Sequence, residues 1–260
     1  DWSGSTEIFE MSEDAPPWNG VKNKYNQETY LNMLSRSKFG LCLPGFGMKC
    51  NREIELMALG VVPIITPSVN TTYVDELVDN CISLDNEMGG YLATKALIDL
   101  GHKDIAYVAG PQFKTDASTR LIGHKRALAE QNIPFYENLL YIGDFKETGG
   151  KEGLKHFIDK KVSFSAIVCA NDEMASGSMK YAREHGFRLP EDLSIMGYDN
   201  VNFANYLYPK LTTIDNPVYE MGRMSAKLVL QNVYKVKDLS IQHVFSPSLI
   251  SRKSVTEFQL

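Results

Sequence analysis

From residue 85 onward the chain alternates strand and helix patterns without a break, and no other feature of its 260 residues restricts the fold so strongly. Short apolar runs predict strands near residues 104–109, 138–142, 165–170, 193–197 and 240–245. Amphipathic spacing predicts helices near residues 88–100, 116–131, 148–160, 172–185 and 217–234. Strands separated by crossover helices pair in parallel, with helices on both faces of the sheet, so the expected class is α/β. The sharpest corner is at Asn171. The apolar run from Ser165 to Ala170 stops there and a helical pattern starts, with Met174, Met179 and Ala182 on one face and Gly186 as its stop. A short polar side chain at such a corner can cap the helix by accepting a first-turn N–H. It can also face a ligand, because open α/β sheets bind outside the carboxyl ends of their strands. Asn171 and Asp172 can divide these two tasks.

The chain is long enough for one two-lobed unit or two small domains. Its 43% hydrophobic and 23% charged residues suit a globular protein with a sizeable core. A net charge of −5, with no long run of Lys or Arg, speaks against a nucleic-acid surface on the chain itself. No apolar run approaches the roughly 20 residues that span a bilayer, and no leader pattern stands at the first residues, so no membrane contact and a cytoplasmic location are expected. Cys42, Cys50, Cys81 and Cys169 show no zinc spacing. Three of them sit in or beside apolar strand-like runs and read as small apolar side chains, which fits a reducing compartment. No cofactor, metal or catalytic constellation is expected. None of the five histidines pairs with a Ser or Cys in a nucleophile turn, and His102, next to Gly101 at a helix end, reads as a cation suited to the helix dipole.

Residues 1–24 read as an irregular arm, with a short alternating stretch from Thr6 to Met11. Helices are expected at 25–38 and 52–59, and strands at Phe39–Leu43, Val61–Ile65 and Cys81–Leu84. Ser37–Gly47, with Pro44, Gly45, Phe46 and Gly47 in a loop, precedes Arg52, Glu55, Gly60 and Pro63. Residues 36–66 resemble the donor-nucleotide half of exostosin-like glycosyltransferases. That resemblance implies Arg52 for a diphosphate and Glu55 for a ribose, at a helix N-terminus suited to anions. The alternative is a plain strand-to-helix turn with two surface charges.

Seven segments beyond this point occur in order: Asp85–Glu87, Gly101–Pro111, Arg120–Gly123, Ala170–Asp172, Ser194–Asp199, Pro209–Ile214 and Ser246–Arg252. Together, over residues 85–254, they resemble the sugar-responsive core of the lactose/galactose repressor family of bacterial regulators. Val244–Pro247 brings the galactose-repressor branch nearest. The resemblance implies a two-lobed periplasmic-binding-protein-like fold with parallel sheets, three crossovers and a cleft between the lobes. The first lobe, residues 25–110, would be incomplete or substituted, transferase-like to residue 80 and repressor-like from 81. Residues 111–260 would form the second lobe with return crossovers to the first. The chain reads as a hybrid of the two families.

A sugar site needs carboxylates and amides for vicinal hydroxyls, an Arg fork and an aromatic face. Matched position by position, the resemblance implies ligand contacts at Arg120, Phe145, Asn171 and Asp199. Their bland alternatives are a surface arginine, a core plug, a helix cap and a turn acid. Met88 stands where some relatives carry an acid. The expected function is recognition of a small molecule, a hexose first, by the effector domain of a transcriptional repressor, and not catalysis. The alternative is a nucleotide-sugar transferase donor domain. DNA contact is expected only through a head domain that these residues lack, and a homodimer is one assembly the reading allows.

Overall fold

The computed structural model describes the backbone of residues 39–42 and 62–65, and residues 81–258 apart from 233. The arm expected at 1–24, the helices expected at 25–38 and 52–59, and Arg52 and Glu55 lie outside the described residues. The chain divides into two compact units, residues 1–66 and 67–260. In the first, β1 (Phe39–Cys42) and β2 (Val62–Ile65) pair in parallel, with Phe39 opposite Val62 and Cys42 opposite Ile65. Both strands fall where the apolar runs predict them.

The second unit begins with β3 (Ser83–Leu84) and α1 (Asn86–Asp99). There follow β4 (Ile105–Ala109), α2 (Thr115–Glu130), β5 (Leu140–Ile142), α3 (Glu147–Asp159), β6 (Ala166–Cys169), α4 (Asp172–Glu184) and β7 (Ser194–Asp199). The chain closes with β8 (Thr212–Asp215), α5 (Val218–Asn232), β9 (Val244–Phe245) and β10 (Ser248–Ile250). A six-stranded sheet runs in the order β10-β8-β7-β6-β4-β5, parallel except for the edge pair β10–β8. β3 and β9 form a separate parallel pair. At the sheet's centre every residue of β4 and β6 is buried, as expected of strands covered on both faces. Among the described residues no helix is long and apolar enough to cross a membrane.

The five helices and five strands predicted from residue 85 onward are present, with ends displaced by one to a few residues. The run near 240–245 shrinks to Val244–Phe245. Two strands have no apolar run to announce them. In β8 the threonines are buried but satisfied: Thr213 Oγ1 donates to Asp172 Oδ1 at 2.6 Å, and Thr212 Oγ1 accepts from Arg252 N at 2.9 Å. β10 is a three-residue edge strand half open to solvent.

His102 corrects an expectation. Gly101, at φ +89°, turns the chain out of α1 and its N–H donates to Ile98 O. The His102 imidazole is 2% exposed and sits between Ser165 Oγ (2.8 Å) and Thr256 O (3.0 Å). Desolvation lowers its pKa, so the ring ties the chain's C-terminal segment down in neutral form and does not serve as a cation at the helix end.

Right-handed crossovers place α2 on one face of the sheet and α3 and α4 on the other, and α1 packs along α2. Both helix pairs cross at glycines. A methyl group on Gly90 would overlap Arg120 O, and one on Gly123 would overlap Glu87 O. Gly150 and Gly177 stand in the same relation to Met174 O and Glu147 O. Gly123→Ala should therefore destabilise the protein by about 1–3 kcal/mol through overpacking, despite alanine's better helix propensity. Urea unfolding would measure this; an unchanged midpoint would mean the helices separate without loss.

Candidate functional site

The carboxyl ends of β4, β5, β6, β7 and β8 lie along one edge of the sheet, and the polar side chains there are joined to one another. Arg120, in the second turn of α2, is only 5% exposed. Its Nε donates to Asn86 Oδ1 (2.9 Å), its Nη1 to Ala170 O (2.6 Å) and its Nη2 to Asp199 Oδ1 (3.4 Å). The guanidinium lies 3.6 Å over the Tyr198 ring, a cation–π contact. The Tyr198 hydroxyl donates to Asn86 Oδ1 at 3.3 Å, and burial pushes this phenol up to about 12. A guanidinium has five N–H donors; these contacts engage three. The remainder can serve a ligand.

Asp199 ends β7 with φ +105°, and Asn200 follows at φ +51°. The Asp199 carboxylate also accepts from Asn216 Nδ2 at 3.3 Å. Its side chain is 27% exposed against 6% for Arg120, so it is the open member of the pair. Desolvation raises its pKa and the Arg120 charge opposes that rise. Asn171 caps α4: its Oδ1 accepts from Met174 N (3.0 Å), while its Nδ2 donates to Phe145 O (2.8 Å). Phe145 follows β5 at φ +67°, half-buried, with its ring over Gly110 and Lys114 Nζ 5.4 Å from its centroid.

The structure thus links all four expected residues: Phe145 to Asn171 by a direct bond, Asn171 to Arg120 through the adjoining Ala170 carbonyl, and Arg120 to Asp199. Asn171 acts as a cap and as a brace for the Phe145 loop at once. Asp172, its neighbour at the corner, is 1% exposed and accepts from Val201 N at 2.9 Å and from Thr213 at 2.6 Å. Burial pushes its carboxyl up to about 7, against the lowering effect of those two bonds. Met88 has its sulfur 4.0 Å from Arg126 Nη2, beside the Arg126–Glu87 ion pair.

Sequence reasoning passed over Asn86, Tyr198 and Asn216. Asn86 and Tyr198 lie inside recognised segments, and only the fold shows that they fix the Arg120 side chain. Chemically the cluster offers an open carboxylate, guanidinium donors, amides and an aromatic face, the set that binds vicinal hydroxyls. It offers no evident nucleophile. Cys169, at the end of β6, is fully buried and its thiol is pushed up to about 12 by desolvation.

Residues 94–255 match the family of the periplasmic binding protein-like domain. The chain is 37% identical over 176 residues to the HTH-type transcriptional regulator GalR of Salmonella typhimurium (strain SL1344), covering 68% of this chain and 52% of that protein. It therefore spans about half the length of that relative. It is 31% identical over 248 residues to the HTH-type transcriptional repressor PurR of Photorhabdus laumondii, covering 92% of this chain and 70% of that protein. Among solved structures, a sugar-binding transcriptional regulator of the LacI family from Escherichia coli, complexed with phosphate, superposes with a TM-score of 0.76 at 28% identity, over 88% of this chain and 81% of that one. These relatives are transcription regulators and not enzymes.

Proposed function

Because the chain belongs to the lactose/galactose repressor (LacI) family, we propose that it is the effector-binding core of a sugar-responsive transcriptional repressor and that its ligand is a hexose. The observation that carries the ligand is the Arg120–Asp199 pair at 3.4 Å, with the carboxylate open and the guanidinium fixed from behind by Asn86, Ala170 and Tyr198. Asp199 would take two neighbouring hydroxyls, Arg120 and Asn171 would add donors, and Phe145 would cover the apolar side of the ring. In this reading residues 25–110 form the first lobe and 111–260 the second. Operator contact belongs to a separate head domain, two copies associate, and the protein works in the cytoplasm.

The transferase-like reading of residues 36–66 gains nothing from the relatives. The alignment to PurR covers 92% of the chain, and those residues lie too far inside both ends to fall outside it. A single family accounts for 92% of the chain more simply than a hybrid does. Arg52 and Glu55 are accordingly given no part in binding.

Thermal unfolding with D-galactose, D-glucose, D-ribose, uridine diphosphate and guanosine diphosphate tests the proposal. A hexose at 100 times its dissociation constant stabilises the folded state by about 2.7 kcal/mol, which raises Tm by several degrees. The nucleotides should leave Tm unchanged. Stabilisation by a nucleoside diphosphate alone, or by nothing in the panel, would overturn it.

A further inference from the structure

We propose that Asp172 is a positioning residue that holds the turn from Asp199 to Val201, so that the Asp199 carboxylate stays turned toward Arg120 and the ligand. The ligand half of this inference rests on the sugar-binding reading above. The turn half stands without it.

Two consecutive residues with side chains, Asp199 at φ +105° and Asn200 at φ +51°, occupy the half of backbone space that favours glycine. Such a conformation persists only where the surroundings over-determine it. Here they do. Val201 N donates to Asp172 Oδ2 at 2.9 Å, just past the strained pair. Thr213 Oγ1 donates to Asp172 Oδ1 at 2.6 Å, and its oxygen accepts from Asn200 N at 3.4 Å. The Asn200 side chain donates to Asp215 Oδ1 and accepts from Arg252 Nη2, both at 2.6 Å, and Arg252 Nη1 is anchored on Leu211 O at 2.7 Å. Asp172 and Thr213, at 1% and 0% exposure, are the deepest side chains of this network.

Its burial has no other evident use. Asn171, not Asp172, caps α4. Among the described residues its carboxyl makes no ion pair, and a buried carboxylate without one is costly. The β7 strand also makes room for it: a methyl group on Gly197 would overlap Asp172 Oδ1. The charged groups that act on it are Asp199 and Arg252, the first the residue being positioned and the second the opposite holder of Asn200.

Amide hydrogen exchange at Val201 and calorimetry with D-galactose, on the same proteins, test the inference. Asp172→Ala should speed Val201 exchange, relative to its neighbours, by about 10-fold or more, and weaken galactose binding by a similar factor. Asp172→Asn can still accept from Val201 and bond Thr213, so it should restore both. Phe157→Leu, a core change in α3 far from the turn, should lower Tm while leaving both readouts alone; this separates positioning from general loss of stability. If Asp172→Ala does not fold, Thr213→Val replaces it, since that change removes the hydroxyl bridging Asp172 and Asn200. Wild-type Val201 exchange in the alanine variant would overturn the inference, as would an asparagine variant no better than alanine. If the unmodified protein binds no sugar, the sugar reading fails, and Val201 exchange still decides whether Asp172 holds the turn.

Discussion

Arg120→Ala should weaken sugar binding by at least about 100-fold and lower the unfolding free energy by about 3 kcal/mol. The change deletes three donated hydrogen bonds at once, to Asn86, Ala170 O and Asp199, together with the cation–π contact on Tyr198. The Ala170 carbonyl at the bottom of the site would lose its arginine partner. Asp199 is more open, so water can recover part of its loss, and the stability effect is set at the lower end of what breaking a buried ion pair costs. Arg120→Lys should not rescue: an ammonium cannot reach three acceptors in a plane and stack on a ring. Asp199→Ala and Asn171→Ala remove one group each and should weaken binding by about 10- to 100-fold. Arg52→Ala and Glu55→Ala should leave it unchanged. Calorimetry and urea unfolding on the same set measure both effects. Unaltered hexose binding in Arg120→Ala would remove the site from this edge of the sheet.

The order of elements was readable because each buried strand is a compact apolar run and each helix has a glycine or polar stop. β8 escaped because two of its three buried residues are threonines, one on each face, whose hydroxyls find partners only after folding, in Asp172 and the backbone of Arg252. Nothing local distinguishes such a strand from a loop. The same limit applies to the site. Arg120, Asn171 and Asp199 were picked out through family segments and strand ends, yet their bland alternatives were readable too, and Asn171 is in fact a cap. Asn86, Tyr198 and Asp172 act through contacts with residues far along the chain, 34 positions away for Asn86 and Arg120. His102 was misread because a helix-end position suggests a charge, while burial against Ser165 and Thr256 requires a neutral ring.

His124→Asn and Asp172→Asn should tilt the pH dependence of stability in opposite directions. His124 is 1% exposed, with rings of Tyr107 and Phe135 nearby, and burial depresses its pKa to about 3, helped by the Lys125 charge. The Thr94 hydroxyl gives its proton to Gly90 O at 2.9 Å, so the 2.8 Å contact requires His124 Nδ1–H as donor to Thr94. Between pH 3 and the unfolded value near 6.5 the unfolded chain holds a proton here that the folded chain does not. Stability from this group is complete above about pH 6.5 and is lost as pH falls. Asp172 has the opposite sign. Its folded value of about 7 stands above the unfolded 3.8, so the folded chain holds the extra proton, and stability from this group is complete below about pH 4 and is lost as pH rises toward 7. Each slope is at most about 1.4 kcal/mol per pH unit, and over most of pH 4–6.5 the two cancel. The raised carboxyl of Asp199 adds to the second and the depressed His102 to the first. His124→Asn keeps a donor toward Thr94 and removes the titration, so its stability should fall with rising pH across this window. Asp172→Asn should show stability rising with pH. Urea midpoints at half-unit steps from pH 4.5 to 7.5 read both slopes, and profiles parallel to that of the unmodified protein would show that neither group is held in the protonation state its burial demands.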